Sequence, residues 1–176
     1  MSLKTLWSSL SRRCRRLVCG CPISALFTGA GVLMAAGAIV RFVSGSPYSH
    51  GVMVQFGSTI PSAPLMSLFW MIWYGVLGAT FAGVMCGPRR DLHTQAERYR
   101  GGMLFLAMIF LGFLWYPLFF AAGHIWLATV VLLAVLALCI LTALCYIRIF
   151  RAAGVSLFCH AVWLAWLAVV SVAMIF

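Results

Sequence analysis

The sequence predicts an all-α membrane protein built as a bundle of five transmembrane helices. The first observation is composition: of 176 residues, 65% are apolar and only 8% charged, with a mean hydropathy of +1.10, well outside the range of a water-soluble domain. The second is segmentation, since a hydrocarbon core about 30 Å thick needs roughly 20 consecutive apolar residues per helix and five such runs occur in order. The third is the sorting of basic residues. Lys4, Arg12, Arg13, Arg15 and Arg16 precede the first run, Arg89, Arg90, Arg98 and Arg100 lie between the second and third, and Arg148 and Arg151 lie between the fourth and fifth, with Arg41 alone on the other side. Short basic loops stay in the cytoplasm, so the amino terminus is expected inside. The net charge of +10 is thereby assigned to topology and anionic headgroups, and nucleic acid is not an expected partner.

Residues 1–22 form a basic cytoplasmic segment, and residues 23–176 a single membrane domain. Ser8, Ser9 and Ser11 among arginines, with no acid, resemble a transit peptide, and the apolar run that follows could serve as a signal sequence. Because that run, Ile23 to Val40, is long enough to span and is followed by a loop, it is assigned as the first helix. Its Gly29, Ala30, Gly31, Ala35, Ala36 and Gly37 permit close helix approach, in the bundle or at a subunit interface.

The first loop, residues 41–64, contains Gly45, Pro47, Gly51, Gly57, Pro61 and Pro64 and no charge after Arg41. Its apolar residues suit either a lid folded over the helix ends or a segment resting on the bilayer interface. Helix two, Leu65 to Cys86, carries Trp70, Trp73, Tyr74 and Leu77 at spacings of three and four, which share one side. Gly87 and Pro88 end it. The connector Gly87 to Arg100, with Asp91 and Glu97 as the only acids of the chain, reads as solvated loop.

Helix three, Met103 to Ala122, holds Trp115, Phe119 and Phe120 near Pro117. Gly123 and His124 join it so tightly to helix four, Ile125 to Ile147, that the two must form an antiparallel hairpin. A second tight join is expected around Gly154 before helix five, Val155 to Phe176, where His160, Trp163 and Trp166 recur every three residues. No internal repeat is visible, which argues against an inverted-repeat transporter.

Proton pumps and ion-coupled carriers place acids inside the membrane, and no acid lies in any of these runs. His160 and a snorkelling Arg41 are the ionisable residues available there. No nucleophile is paired with a base, no carboxylates pair, and His50, His93, His124 and His160 lack metal spacing, so neither a catalytic residue nor a metal ligand is assigned. Cys86, Cys139, Cys145 and Cys159 read as small apolar packing residues, and Cys14, Cys19 and Cys21 lack a partner cluster for zinc. His160 suits a simple hydrogen bond or an axial haem position. The aromatic faces of helices two, three and five suit either an interfacial belt or an enclosed pocket with indole donors for a flat hydrophobic ligand such as a porphyrin or sterol.

The run Phe113-Leu114-Trp115-Tyr116-Pro117-Leu118-Phe119-Phe120 resembles the helix-three signature of the TspO/MBR family, the tryptophan-rich sensory proteins and the translocator protein. Pro61 ahead of Trp70 and Tyr74, Gly78 after them, and Trp163 between Ala161 and Ala168 resemble further family features. The family's Asn before the signature is replaced by Gly112, its helix-four Asp by Val131, and its helix-five Pro and Asn by Cys159 and Ser171. The resemblance implies a five-helix bundle, often a homodimer, that binds porphyrins or other hydrophobic small molecules under the first loop as receptor or carrier, with no cofactor required. By position, Pro61, Trp70, Tyr74, Trp115, Phe120 and Trp163 are expected to line that site. A tetrapyrrole such as protoporphyrin IX or haem is the expected ligand, ahead of sterol, because no carboxyl-terminal cholesterol-recognition segment precedes Phe176. A bacterial cell membrane is expected rather than a mitochondrial one. The rival expectation is a structural or accessory subunit whose aromatic faces bury against partner helices.

Overall fold

Backbone polar groups in hydrocarbon have no water to bond, so a chain this apolar satisfies them within helices. The computed structural model describes residues 21–44, 63–87 and 92–175, apart from the side chains of residues 63–67. It contains α1 (Ile23–Ser44), α2 (Ala63–Cys86), α3 (Leu92–Tyr116), a π-helical turn (Pro117–Ala121), α4 (Ile125–Ile149) and α5 (Arg151–Ala173). All five α-helices are long and apolar enough to cross a membrane. The chain is therefore a multi-pass membrane protein. The amino-terminal segment through residue 20, Pro61 and residues 45–62 of the expected lid lie outside the described residues.

α1 packs along α2, α3 along α4 and α4 along α5, while α2 meets α5 and α1 and α2 both meet α3. Around the bundle the order is thus α1, α2, α5, α4, α3. Phe27, Phe42, Phe110, Val162 and Val169 point outward, as befits helices whose surroundings are lipid. Leu77, Phe105, Met108, Leu132, Tyr146 and Leu157 fill the interior.

One end of the bundle, where α2 ends and α3 begins, is held by contacts that glycine alone allows. A Cβ added at Gly29 would lie 2.6 Å from the Gly78 carbonyl oxygen, so α1 and α2 cross backbone to backbone. Gly101 lies under the Tyr146 ring, where a Cβ would sit 2.7 Å from Cε1. Between α2 and α5, Thr80 Oγ1 and Ser156 Oγ are 3.0 Å apart, and the Cys139 thiol of α4 donates to the Leu157 carbonyl of α5 at 3.3 Å.

Three boundaries differ from the sequence expectation. α1 runs through Arg41 to Ser44, so the first turn of the expected loop is helical. The expected solvated connector is helical from Leu92, because His93 to Arg100 contains good helix formers and hydropathy reads solvent rather than hydrogen bonding. At 25 residues, α3 is about 37 Å long and overshoots the hydrocarbon. Its polar first turns tie the end together: Arg98 Nη1 donates to the Gly87 carbonyl at 2.9 Å, and Arg148 Nη1 donates to Glu97 Oε1 at 3.0 Å. Finally, the break between α4 and α5 is Phe150, in extended conformation, not Gly154. Gly154 lies within α5, where a Cβ would sit 2.5 Å from that of Ile147.

The expected hairpin between helices three and four is present. Pro117 has no N–H for an α-helical bond, and the backbone widens into a π turn in which Ala122 N donates to Pro117 O at 2.9 Å and His124 N to Leu118 O at 3.0 Å. Gly123, at φ +65°, takes the left-handed conformation that ends the segment.

Candidate functional site

α2, α3 and α5 bring their aromatic residues together in the half of the bundle opposite the glycine crossings. Trp70 stacks on Tyr74 one turn away (centroids 5.8 Å apart) and meets Tyr116 edge-on at 5.8 Å and Trp163 edge-on at 6.1 Å. Trp115 joins Tyr116, Phe119 and Phe120 within one cluster, at 5.3, 5.1 and 5.7 Å. Phe119, four residues after Trp115, meets it as in any helix, and the wider π turn brings Phe120, five residues on, to the same side. Ring pairs at these separations and tilts are attractive.

Inside this cluster is a cavity of about 30 Å³, space for roughly one or two water molecules. Trp70, Tyr74 and Leu77 of α2, Trp115 and Tyr116 of α3, and His160 and Leu164 of α5 line it, with Met108, Ile109, Gly112, Leu132 and Val135 completing the wall. In this closed arrangement a drug-sized ligand does not fit, and admitting one requires rings such as Trp70 and Tyr116 to part.

Of the residues expected at the site, Trp70, Tyr74 and Trp115 line the cavity. Phe120 is buried one layer behind, against Trp115 and Tyr116. Trp163 does not reach the cavity: it is sandwiched between Trp70, Phe69 and Trp166 and borders an outward-facing groove with Trp73 and Val162. Pro61 lies outside the described residues.

The sequence reasoning left out Tyr116, Gly112 and the lining role of His160. On α5, His160 and Leu164 sit four apart and face the cavity, whereas the three-residue series from His160 to Trp166 spirals away toward lipid. Gly112, where the family has Asn, contributes space, since nothing lies within 4 Å of a Cβ built there. Trp73, expected on the same face as Trp70, instead turns to α5 and donates its indole N–H to His160 Nδ1. The hydrogen-bonding role expected for His160 is thus present.

The polar equipment of the cavity consists mainly of donors. Trp115 Nε1 is buried and has no hydrogen-bond partner among the described residues, as is also true of Glu97 Oε2, Tyr146 OH and Trp163 Nε1 outside the cavity; such a state ordinarily costs free energy. The tyrosine hydroxyls of Tyr74 and Tyr116 can donate or accept. No three His, Cys, Asp or Glu residues cluster among the described residues, and the arrangement offers shape, stacking and hydrogen bonds.

The comparisons agree with this architecture at the level of family. No curated protein and no solved structure matched the chain, but the TspO/MBR family profile matches residues 30–176, from the glycines of α1 through the whole bundle. With most of its length accounted for in this way, the chain belongs to the TspO/MBR family.

Proposed function

We propose that this protein is a membrane receptor or carrier that binds a flat hydrophobic ligand, a tetrapyrrole such as protoporphyrin IX or haem, in the aromatic site between α2, α3 and α5. The single observation that carries the reading is the cavity, where aromatic residues of separate helices converge on a buried indole donor that has no partner among the described residues. Trp70, Tyr74 and Trp115 contact the ligand directly, Phe120 backs Trp115, and Trp163 braces Trp70. Sterol is the less favoured ligand. The amino terminus faces the cytoplasm of a bacterial cell, and two copies associate as a homodimer.

Ring stacking supports the choice of ligand class: each aromatic contact contributes about 0.5–1.5 kcal/mol beyond area burial, so three or four such contacts on a macrocycle supply about 1.5–6 kcal/mol toward the roughly 8 kcal/mol of micromolar binding, and burial of its apolar area must supply the rest and offset the cost of association. The test is tryptophan-fluorescence titration of detergent-purified protein with protoporphyrin IX, corrected for inner-filter absorption. Saturable quenching at micromolar ligand is expected, weakened about tenfold by Trp115→Phe, which leaves a smaller aromatic ring and removes the N–H, and severalfold by Trp70→Phe and Trp163→Phe. Absence of saturable quenching in wild type, or indifference to all three substitutions, would sink the reading and favour an accessory subunit of a larger membrane complex.

A further inference from the structure

We propose that His160 is a specificity-determining hydrogen-bond donor of the cavity, so that the site takes a flat ligand carrying an acceptor atom and does not ligate haem iron through histidine. The proposal rests on the reading of the cavity as a ligand site and fixes which chemistry that site prefers.

The indole N–H of Trp73 donates to Nδ1 of His160. Tryptophan has no acceptor nitrogen, and a neutral imidazole carries one donor and one acceptor. With Nδ1 accepting, the proton resides on Nε2. His160 is 4% exposed and lines the cavity, so Nε2–H is the polar atom its ring can offer to an occupant. Trp115 Nε1–H, on the α3 wall of the same cavity, is a second donor and lacks a partner among the described residues. Two residues from different helices that line one cavity thus each carry an N–H donor, and a ligand that satisfies both presents acceptors, such as a carboxylate oxygen or an unmetallated ring nitrogen.

The same bond opposes iron ligation. A histidine that binds metal through one nitrogen nearly always donates the N–H of the other to a carboxylate, carbonyl or water. Here the neighbour is Trp73, a donor. Coordination through Nε2 would move the proton to Nδ1, where it would face the indole N–H, leaving two buried donors without acceptors.

The experiment uses the full chain in detergent micelles, with folding of each variant checked by circular dichroism. Nitrogen-15 NMR of histidine-labelled protein, assigned by the signal lost in His160→Gln, is expected to show the neutral Nε2–H form, and Trp73→Phe to convert it to a mixture. A wild-type Nδ1–H form would overturn the proposal whatever the ligand data. Protoporphyrin IX is expected to bind His160→Leu about tenfold more weakly than wild type, with His160→Gln, which keeps a donor, within about threefold. Equal affinity in the Leu variant would also overturn it. Ferric haem added to wild type is expected to lack the absorption and paramagnetic-resonance signature of histidine ligation, and Trp73→Phe to acquire it. A histidine signature in wild type that His160→Leu removes would reverse the conclusion. Failure of wild type to bind protoporphyrin IX at all would overturn the tetrapyrrole reading and the ligand half of this proposal together, a result distinguishable from failure of the donor because the tautomer is measured without ligand.

Discussion

The two halves of the bundle are closed by different means. In the half where α2 gives way to α3, backbones touch at Gly29 and Gly78, the Tyr146 ring packs on Gly101, and Thr80 pairs with Ser156 and Arg98 with the Gly87 carbonyl, while Glu97 Oε2 and Tyr146 OH are buried without partners among the described residues. In the other half, the rings of Trp70, Tyr74, Trp115 and Tyr116 surround a cavity, Gly37 of α1 packs against the Tyr74 ring, and Trp115 Nε1 has no partner among the described residues. Lipid gives no hydrophobic drive for helices to associate, so close packing and hydrogen bonds do that work. The closest backbone approach described between helices is thus at Gly29 and Gly78, and on the proposed reading it is the aromatic half that parts for a ligand.

The largest effect is expected where backbones cross. Gly78→Leu forces α1 from α2 and should cost about 3 kcal/mol or more, read as a large drop in melting temperature or loss of the monodisperse peak in detergent. Gly112→Val tests the opposite half. Nothing lies within 4 Å of a Cβ at Gly112, so the fold should survive, while the side chain occupies cavity space and porphyrin affinity falls severalfold. Equal affinity in that variant would place the ligand elsewhere. Replacing Thr80 by Val together with Ser156 by Ala removes one interhelical hydrogen bond, for which about 0.6 kcal/mol is the usual loss in a membrane, a shift visible in denaturant unfolding but not in ligand affinity. The smallest effect belongs to Arg148→Gln: the Arg148 side chain is 67% exposed in its pair with Glu97, and stability should change by less than about 0.5 kcal/mol, less still in high salt.

Hydropathy made the five helices readable because each must match the thickness of a bilayer. It could not place the ends. Leu92 to Arg100 is polar and helical at once, and Phe150 rather than Gly154 breaks the chain because the glycine is needed for its missing side chain against Ile147. The lining of the cavity was readable where a resemblance carried it, at Trp70, Tyr74 and Trp115. It was not readable where orientation decides, as at Trp163 and His160. Both faces of α5 are apolar, one toward protein and one toward lipid, so periodicity that identifies the inner face of a soluble helix is silent here. Tyr116 lay beside Trp115 in the signature, but a regular helix would turn it about 100° away, and only the interlocking of α2 with α3 puts both on the cavity.

The extended residue Phe150, flanked by Arg148 and Arg151, bears on how the protein is made. A single non-helical residue between α4 and α5 is too short to cross a bilayer or to let the two spans take independent orientations. The pair is therefore expected to enter the membrane as one hairpin, with the two arginines holding its apex on the side of synthesis. Glycosylation-site mapping during translation reads that order directly: a site placed after α5 should become modified only when α4 is present, and His160 of α5 should reach Trp73 of α2 only once that hairpin has entered.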